Sequence, residues 1–305
     1  MEYREKMHLL QVVLSRHFLV SFLLSAHGKA VCSKEVFMAD YKEMQEILMK
    51  ELRLYHYPIA VTFFFDDASV EAFAAAVPHV RPLKPMTFCQ AEIAARMKGE
   101  TVLCYEGDMG CSNSKVTFGW KAIDDKEIAT QLKYCTDLEQ AGRFMYSKPS
   151  LPFGKLKALA VGPLGDTPVE PSAVHFYCDN MQSYHLAVDY MAGTDTHPLR
   201  PMITMSSSAC GGSVFCFNEQ TFNSCPACSG SYNSGKTERG EVNVFIPGSQ
   251  IGLTVDRLKV RLAKHGTAAI TKPGDPFPGA DICKNCPLIL FKKVSTEACE
   301  GCSKG

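Results

Sequence analysis

Cysteine constrains this chain more than any other residue type: fourteen are spread over 305 residues. A chain of this length, 46% hydrophobic and 21% charged, can bury a large core without disulfide staples. Its cysteines are therefore read as metal or redox groups. Two of them form Cys283-x2-Cys286 and two form Cys299-x2-Cys302, with twelve residues between the pairs. Two such hairpins can set four thiolates tetrahedrally around one ion.

The spacing leaves two occupants open for this tail. Zinc ribbons usually separate their pairs by about 15–20 residues, so twelve is short. Four cysteines also hold a four-iron cluster, and Pro287 directly after Cys286 is a step found in iron–sulfur ligand runs. The tail is expected to carry a 4Fe-4S cluster or zinc.

Composition excludes other classes. Lys+Arg and Asp+Glu both number 32, so the formal net charge is zero. A nucleic-acid partner is not expected, because phosphate contacts need a basic surplus. No run of about 18 apolar residues is present, so no membrane span is expected. The chain reads as cytoplasmic. Residues 1–37 are a doubtful leader: Arg16-His17 precede a short apolar stretch over 18–26, compatible with an export signal or with an upstream extension before Met38.

From Asp40 the spacing of Met44, Ile47, Leu48 and Leu52 predicts a helix. A buried strand follows over 59–65, then a helix capped by Asp66-Asp67. Thr87 and Gln90 form a capping box that starts a helix closed by Gly99. Cys89 falls in its first turn, where the helix dipole favours a thiolate. A strand over 101–105 and a Gly-rich turn with Cys111 come next. The second half repeats this rhythm. A strand spans 173–178, and Asp179 caps a helix over 181–192 that Gly193 ends, with Met181, Tyr184, Val188 and Met191 on its apolar face. A strand is expected from Met202, then a Gly/Ser loop with Cys210. A strand over 242–246 and a basic amphipathic helix over 254–265 complete the core. Residues 271–281 hold three prolines and two glycines, as a linker to the Cys-rich tail would.

Cys89 to Cys104 and Cys210 to Cys225 are each 15 residues apart, a weak sign of duplication. A buried cysteine often acts as a small hydrophobe. That bland reading fits Cys104 and Cys178 inside apolar strands, and fits Cys111, Cys225 and Cys228 in Gly/Ser/Pro segments poorly. Cys225-Pro-Ala-Cys228 would be a thioredoxin-like pair only between a strand and a helix, and Gly230 with its polar surroundings speaks against that. Gly230 to Thr237 satisfies the pattern G-x4-G-K-T, but a Cys-x2-Cys precedes it where a phosphate loop needs a buried strand; the match reads as a decoy. His175 and His185 read as satisfied histidines of a strand and a helix.

Tyr57-Pro-Ile-Ala-Val61, Phe88-Cys-Gln90 with Ala94-Ala-Arg96, Gly110-Cys111, Ala209-Cys210, Cys228-x-Gly230 and the run from Val242 to Pro247 occur in this order. Together with the strand and helix at 173–192 they resemble the uncharacterised family called domain of unknown function 169, over about residues 41–266. The resemblance implies one α/β unit with recurring cysteines, here Cys89, Cys111, Cys210 and Cys228. Family members often show an Arg shortly after the Cys-x-Gly; this chain has Tyr232 there and Arg239 later.

The fold expected is α/β, with α+β as the alternative. It would comprise one mixed-sheet core over 38–270, with weak signs of two similar halves, and a four-cysteine tail over 271–305. The function expected is a metal- or iron–sulfur-binding protein, redox-linked and served by a redox partner protein. The metal ligands would be Cys283, Cys286, Cys299 and Cys302, with Cys89, Cys111, Cys210 and Cys228 around a second metal or cluster. The alternative is a non-catalytic, zinc-tailed binding or metal-delivery module.

Overall fold

A computed structural model describes residues 40–265. The leader over 1–37 and the whole of the linker and tail over 271–305, with Cys283, Cys286, Cys299 and Cys302, lie outside the described residues. In chain order the elements are α1 (Tyr41–Glu51), β1 (Ile59–Phe64), α2 (Asp67–Ala76), α3 (Phe88–Ile93), β2 (Val102–Cys104), α4 (Ser112–Thr117), α5 (Asp125–Ala129), α6 (Leu138–Ser147), β3 (Ala158–Pro163), β4 (Ala173–Cys178), α7 (Asn180–Thr194), α8 (Ser208–Glu219), β5 (Asn223–Pro226), α9 (Ser229–Gly235), β6 (Val242–Pro247) and α10 (Ile251–His265). The six strands form one sheet in the order β2-β3-β1-β4-β6-β5.

Helices cover both faces, so the class is α/β. Alternation along β1 sends Ile59, Val61 and Phe63 to one face, where they meet Phe88, Ala209, Cys210 and Val214 of α3 and α8. Ala60 faces the opposite side, with Leu186 and Tyr190 of α7 and Val255 and Leu258 of α10. The expected mixed sheet is corrected: every pair of named strands is antiparallel. Among the described residues, parallel pairing occurs at the isolated bridges Val80–Val102 and Met86–Met109. The connection from β5 to β6 carries helix α9, seven residues long and packed on α3.

The register relates the two halves. In each half the strand next to the sheet centre is first in sequence, the middle strand is last and the edge strand is second. Ile59 pairs with Pro163 and Ala173 with Pro247; Val102 pairs with Val161 and Asn223 with Phe245. At the centre Ala60 pairs with Val174, flanked by Ile59–His175 and Val61–Ala173. A half-turn about the Ala60–Val174 pair exchanges these flanking pairs and carries β1, β3 and β2 onto β4, β6 and β5. Single 3-10 turns follow both Pro163 and Pro247. The weak spacing signal thus reports a real pseudo-two-fold: Cys104 matches Cys225, and Cys89 matches Cys210.

Most local expectations hold. Asp40, Asp66 and Asp179 accept hydrogen bonds as N-caps, and both arms of the Thr87–Gln90 capping box form. After Ile93 the helix widens into a π turn over Ala94–Lys98, closed by left-handed Gly99 at φ 70°. Three expectations fail. Residues 202–205 are not a strand, and the Gly/Ser loop after them is helix α8. The buried side of α7 carries Gln182, Ser183, His185, Leu186, Asp189 and Tyr190, while Met181 and Tyr184 are exposed. Asp189 is buried because Arg261 of α10 pairs with it in a bidentate fashion at 2.7–2.8 Å. Gly193 does not end α7. A Cβ there would stand 2.7 Å from the Leu253 carbonyl oxygen, so the glycine lets α10 approach. Strand β3 carries no clear sequence signal, since its Ala/Gly/Pro-rich run lacks the β-branched signature.

Candidate functional site

The four core cysteines singled out in the sequence line one cavity. Cys89, Cys111, Cys210 and Cys228, with Asn113, Ser114, Lys133, Tyr134, Ser206, Ser207, Ala209, Ser229 and Gly230, enclose about 180 Å3. Larger open grooves of about 530 Å3 run beside Pro78–Val80 and Phe63–Phe65 and contain no cysteine. Each of the four cysteines sits at a helix start: Cys89 in the first turn of α3, Cys210 in the first turn of α8, Cys111 at the N-cap of α4 and Cys228 at the N-cap of α9. The site gathers them because α4 packs on α8 and α9 on α3.

The thiols are not alike. Cys228 is partly exposed. Burial alone would raise its pKa, but the Ser208 hydroxyl and the backbone N–H groups of Ser231, Ser208 and Gly230 outweigh this and hold it below the usual thiol range. Its N–H donates to Ser208 Oγ at 2.9 Å, and the Ser208 N–H donates to its Sγ at 3.5 Å. Cys89 corrects the expectation of a dipole-stabilised thiolate. Burial, then Glu92, Cys210 and Cys228, push its thiol up well above the usual range, with only Ser231 Oγ at 4.0 Å opposing them. Burial and the neighbouring Cys111 push Cys210 up to about 11, against Lys148 and Ser114.

Lys148 gives no sequence signal, since a lone lysine before a proline reads as a surface residue. It is buried at 6% exposure. Its ammonium donates to Asn113 Oδ1 at 3.3 Å. Burial lowers its pKa, while Cys210, Cys111, Glu127 and Cys228 act in the opposite sense. Ser207 is equally silent in the sequence. It begins α8 at φ 67°, an uncommon conformation for a non-glycine residue that collects at functional sites. It is buried at 7% exposure, and its hydroxyl finds no partner among the described residues.

A buried network supports the wall formed by α3 and α8. Glu92 accepts from Tyr177 Oη at 2.6 Å and meets His175 Nδ1 at 2.5 Å. His175 Nε2 lies 3.0 Å from Asn243 Oδ1, and Asn243 Nδ2 donates to Ser208 Oγ at 3.4 Å. His175 is thus a satisfied core histidine. The Arg96 guanidinium lies 4.0 Å over the Tyr177 ring and donates to the carbonyls of Gly235 and Lys236.

Other motifs resolve plainly. Cys225 lies in β5 and Cys228 opens α9, so the Cys-x2-Cys does span a strand-to-helix step. Yet Cys225 is buried beside Cys216 and Phe245, its thiol pushed up to about 12 by burial and then by Cys228. It behaves as the small hydrophobe it was not expected to be. Gly230 to Gly235 form helix α9 rather than a loop, so their N–H groups do not cradle a phosphate. Among the described residues, no three His, Cys, Asp or Glu side chains are grouped tightly enough to hold a single ion between them. No helix among the described residues is long and apolar enough to cross a membrane.

No curated protein and no solved structure matches the chain. The family model described as uncharacterised ArCR, COG2043, which is domain of unknown function 169, matches residues 47–257, and the chain belongs to that family.

Proposed function

We propose that the cavity between α3, α4, α8 and α9 binds a thiolate-liganded soft metal or iron–sulfur body, and that the protein uses it in redox chemistry with a partner protein. One observation carries this reading. Four cysteines dispersed from position 89 to position 228 line one small cavity, each from a helix start. Cysteines serving only as small hydrophobes are enclosed in apolar packing, as Cys104, Cys178 and Cys216 are. Soft thiolates select zinc, copper(I) and iron–sulfur centres over hard cations. Cys228, already favoured as a thiolate, would be the entry ligand. Cys89 and Cys210 would lose their protons to the metal. The tail cysteines Cys283, Cys286, Cys299 and Cys302 would hold a second 4Fe-4S cluster or zinc.

The test is metal content after purification without oxygen, in the full chain and in a variant with all four tail cysteines changed to Ser. The reading expects iron with matching acid-labile sulfide, or another soft metal, to persist in the tail variant. A tail variant without bound metal, beside a parent holding one zinc, would overturn it and leave a zinc-tailed binding module.

A further inference from the structure

We infer that the core site is binuclear: Cys89 and Cys228 hold one metal centre, Cys210 and Cys111 hold the other, and the pseudo-two-fold axis of the sheet exchanges the two. The inference rests on the metal-binding reading above and specifies its occupant.

The symmetry reaches the site in detail. Cys89 stands thirteen residues before Val102 and Cys210 thirteen before Asn223, the two edge-strand residues that the register makes equivalent. Cys111 and Cys228 are the N-caps of α4 and α9, the helices that follow those edge strands. The serine three residues after each N-cap meets the opposite half's cysteine: Ser231 lies against Cys89, and Ser114 stands near enough to Cys210 to oppose the rise of its pKa. Each pair therefore joins one thiol of the first half to one of the second, through the contacts α3–α9 and α4–α8. Duplicating a half-domain that offers two thiols yields two equal half-sites.

Two further observations favour two centres over one. The described ligating side chains do not close into a group of three or more around a single ion. The cavity of about 180 Å3 is several times the roughly 30 Å3 share of one water molecule, leaving room for two metals and bridging atoms. The unpartnered, buried Ser207 hydroxyl in the cavity wall gives the occupant a polar contact that the protein does not satisfy itself.

The probe is Cd2+, titrated without oxygen into the full-length chain carrying Cys283→Ser, Cys286→Ser, Cys299→Ser and Cys302→Ser, and read by equilibrium dialysis and 113Cd NMR. Two ions per chain are expected, with two resonances. Cys89→Ser and Cys228→Ser should disturb the same resonance, and Cys210→Ser and Cys111→Ser the other. The half-exposed positions 111 and 228 supply the readout if a buried substitution unfolds the chain. One ion per chain that needs all four cysteines overturns the binuclear site and leaves metal binding intact. Both resonances lost together on any single substitution also overturn it. No bound Cd2+ overturns the proposal together with the reading on which it rests.

Discussion

Ser208 and Cys228 hold each other in both directions: the Ser208 N–H donates to Cys228 Sγ at 3.5 Å, and the Cys228 N–H donates to Ser208 Oγ at 2.9 Å. This exchange, with the N–H groups of Ser231 and Gly230, keeps the Cys228 thiol below its usual range despite burial. The metal-free protein should therefore alkylate first at Cys228, because thiolate fraction and exposure both favour it over Cys89 and Cys210. Ser208→Ala should slow iodoacetamide labelling of Cys228 near pH 7 by roughly 10-fold or more, the loss of about one hydrogen bond to a charged group, and leave the plateau rate at high pH nearly unchanged. Peptide mapping by mass spectrometry across pH 6–10 reads both. Equal rates at pH 7 would show that the serine does not tune the thiol.

The buried thiols act on stability in the opposite sense. Burial, then Asp108, push Cys104 up to about 12, and Cys210 is pushed up to about 11. In the unfolded chain both titrate near the ordinary thiol value of 9. The folded state therefore keeps protons that the unfolded state releases, and stability is lost as pH rises from about 9 towards 11 and 12. Each such thiol should cost roughly 1 kcal/mol by pH 10. Cys228, with its lowered value, works the other way just below 9. Urea denaturation of the metal-free protein at pH 8, 9 and 10 should show this fall. Cys104→Ala should be less stable than the parent at pH 8 and should lose less on going to pH 10.

How far the sequence carried depended on whether a signal was local. Caps were readable because an Asp or Thr and the residue three positions on settle them alone, as at Thr87–Gln90 and Asp179–Gln182. The four cysteines of the cavity came together in sequence only through the family resemblance; locally a capping box marks Cys89, and glycines adjoin Cys111 and Cys210. What needed a partner was not readable. Asp189 looks like a solvated residue until Arg261 lies against it. Lys148 looks like a surface lysine until the fold closes over it. Ser207 is an ordinary serine until its φ is known. The pseudo-two-fold showed in sequence only as one repeated spacing, because the halves keep register and cysteines while their other side chains have diverged: Val161 stands where Phe245 does.

Glycine at position 193 offers a test whose sign separates two accounts. If it were an open helix position, Gly193→Ala would stabilise α7 by up to about 1 kcal/mol through helix propensity. The Leu253 carbonyl oxygen at 2.7 Å and carbon at 3.0 Å from the added Cβ are backbone atoms of α10 and cannot turn aside. Overpacking of this kind costs about 1–3 kcal/mol, so net destabilisation is expected. Gly142 of α6 is the control: the nearest atom to its Cβ would be the flexible Ile128 Cδ1 at 3.9 Å, and Gly142→Ala should stabilise by roughly 0.5–1 kcal/mol. Thermal unfolding of both variants reads the contrast. A higher melting temperature for Gly193→Ala would mean that α7 and α10 do not pack this closely.

The Glu92 carboxyl is fully buried and joins Tyr177 to His175. Removing it strands two buried polar groups at once, while the His175 ring stays stacked 4.2 Å from Phe245 and cannot turn towards water. Glu92→Ala should therefore cost about 3 kcal/mol or more, the range for breaking a buried pair from one side. His175→Phe keeps the stack but breaks the same pair from the other side, leaving the buried Glu92 Oε1 without its partner. It leaves Asn243 Oδ1 short of a partner as well, so its expected cost is likewise about 3 kcal/mol or more. Urea midpoints at pH 7 read both losses. A Glu92→Ala variant as stable as the parent would mean that the network contributes nothing to holding α3 on the sheet. The α3 wall bearing Cys89 would then owe its place to apolar packing alone, through Phe88, Ala91 and Ala95.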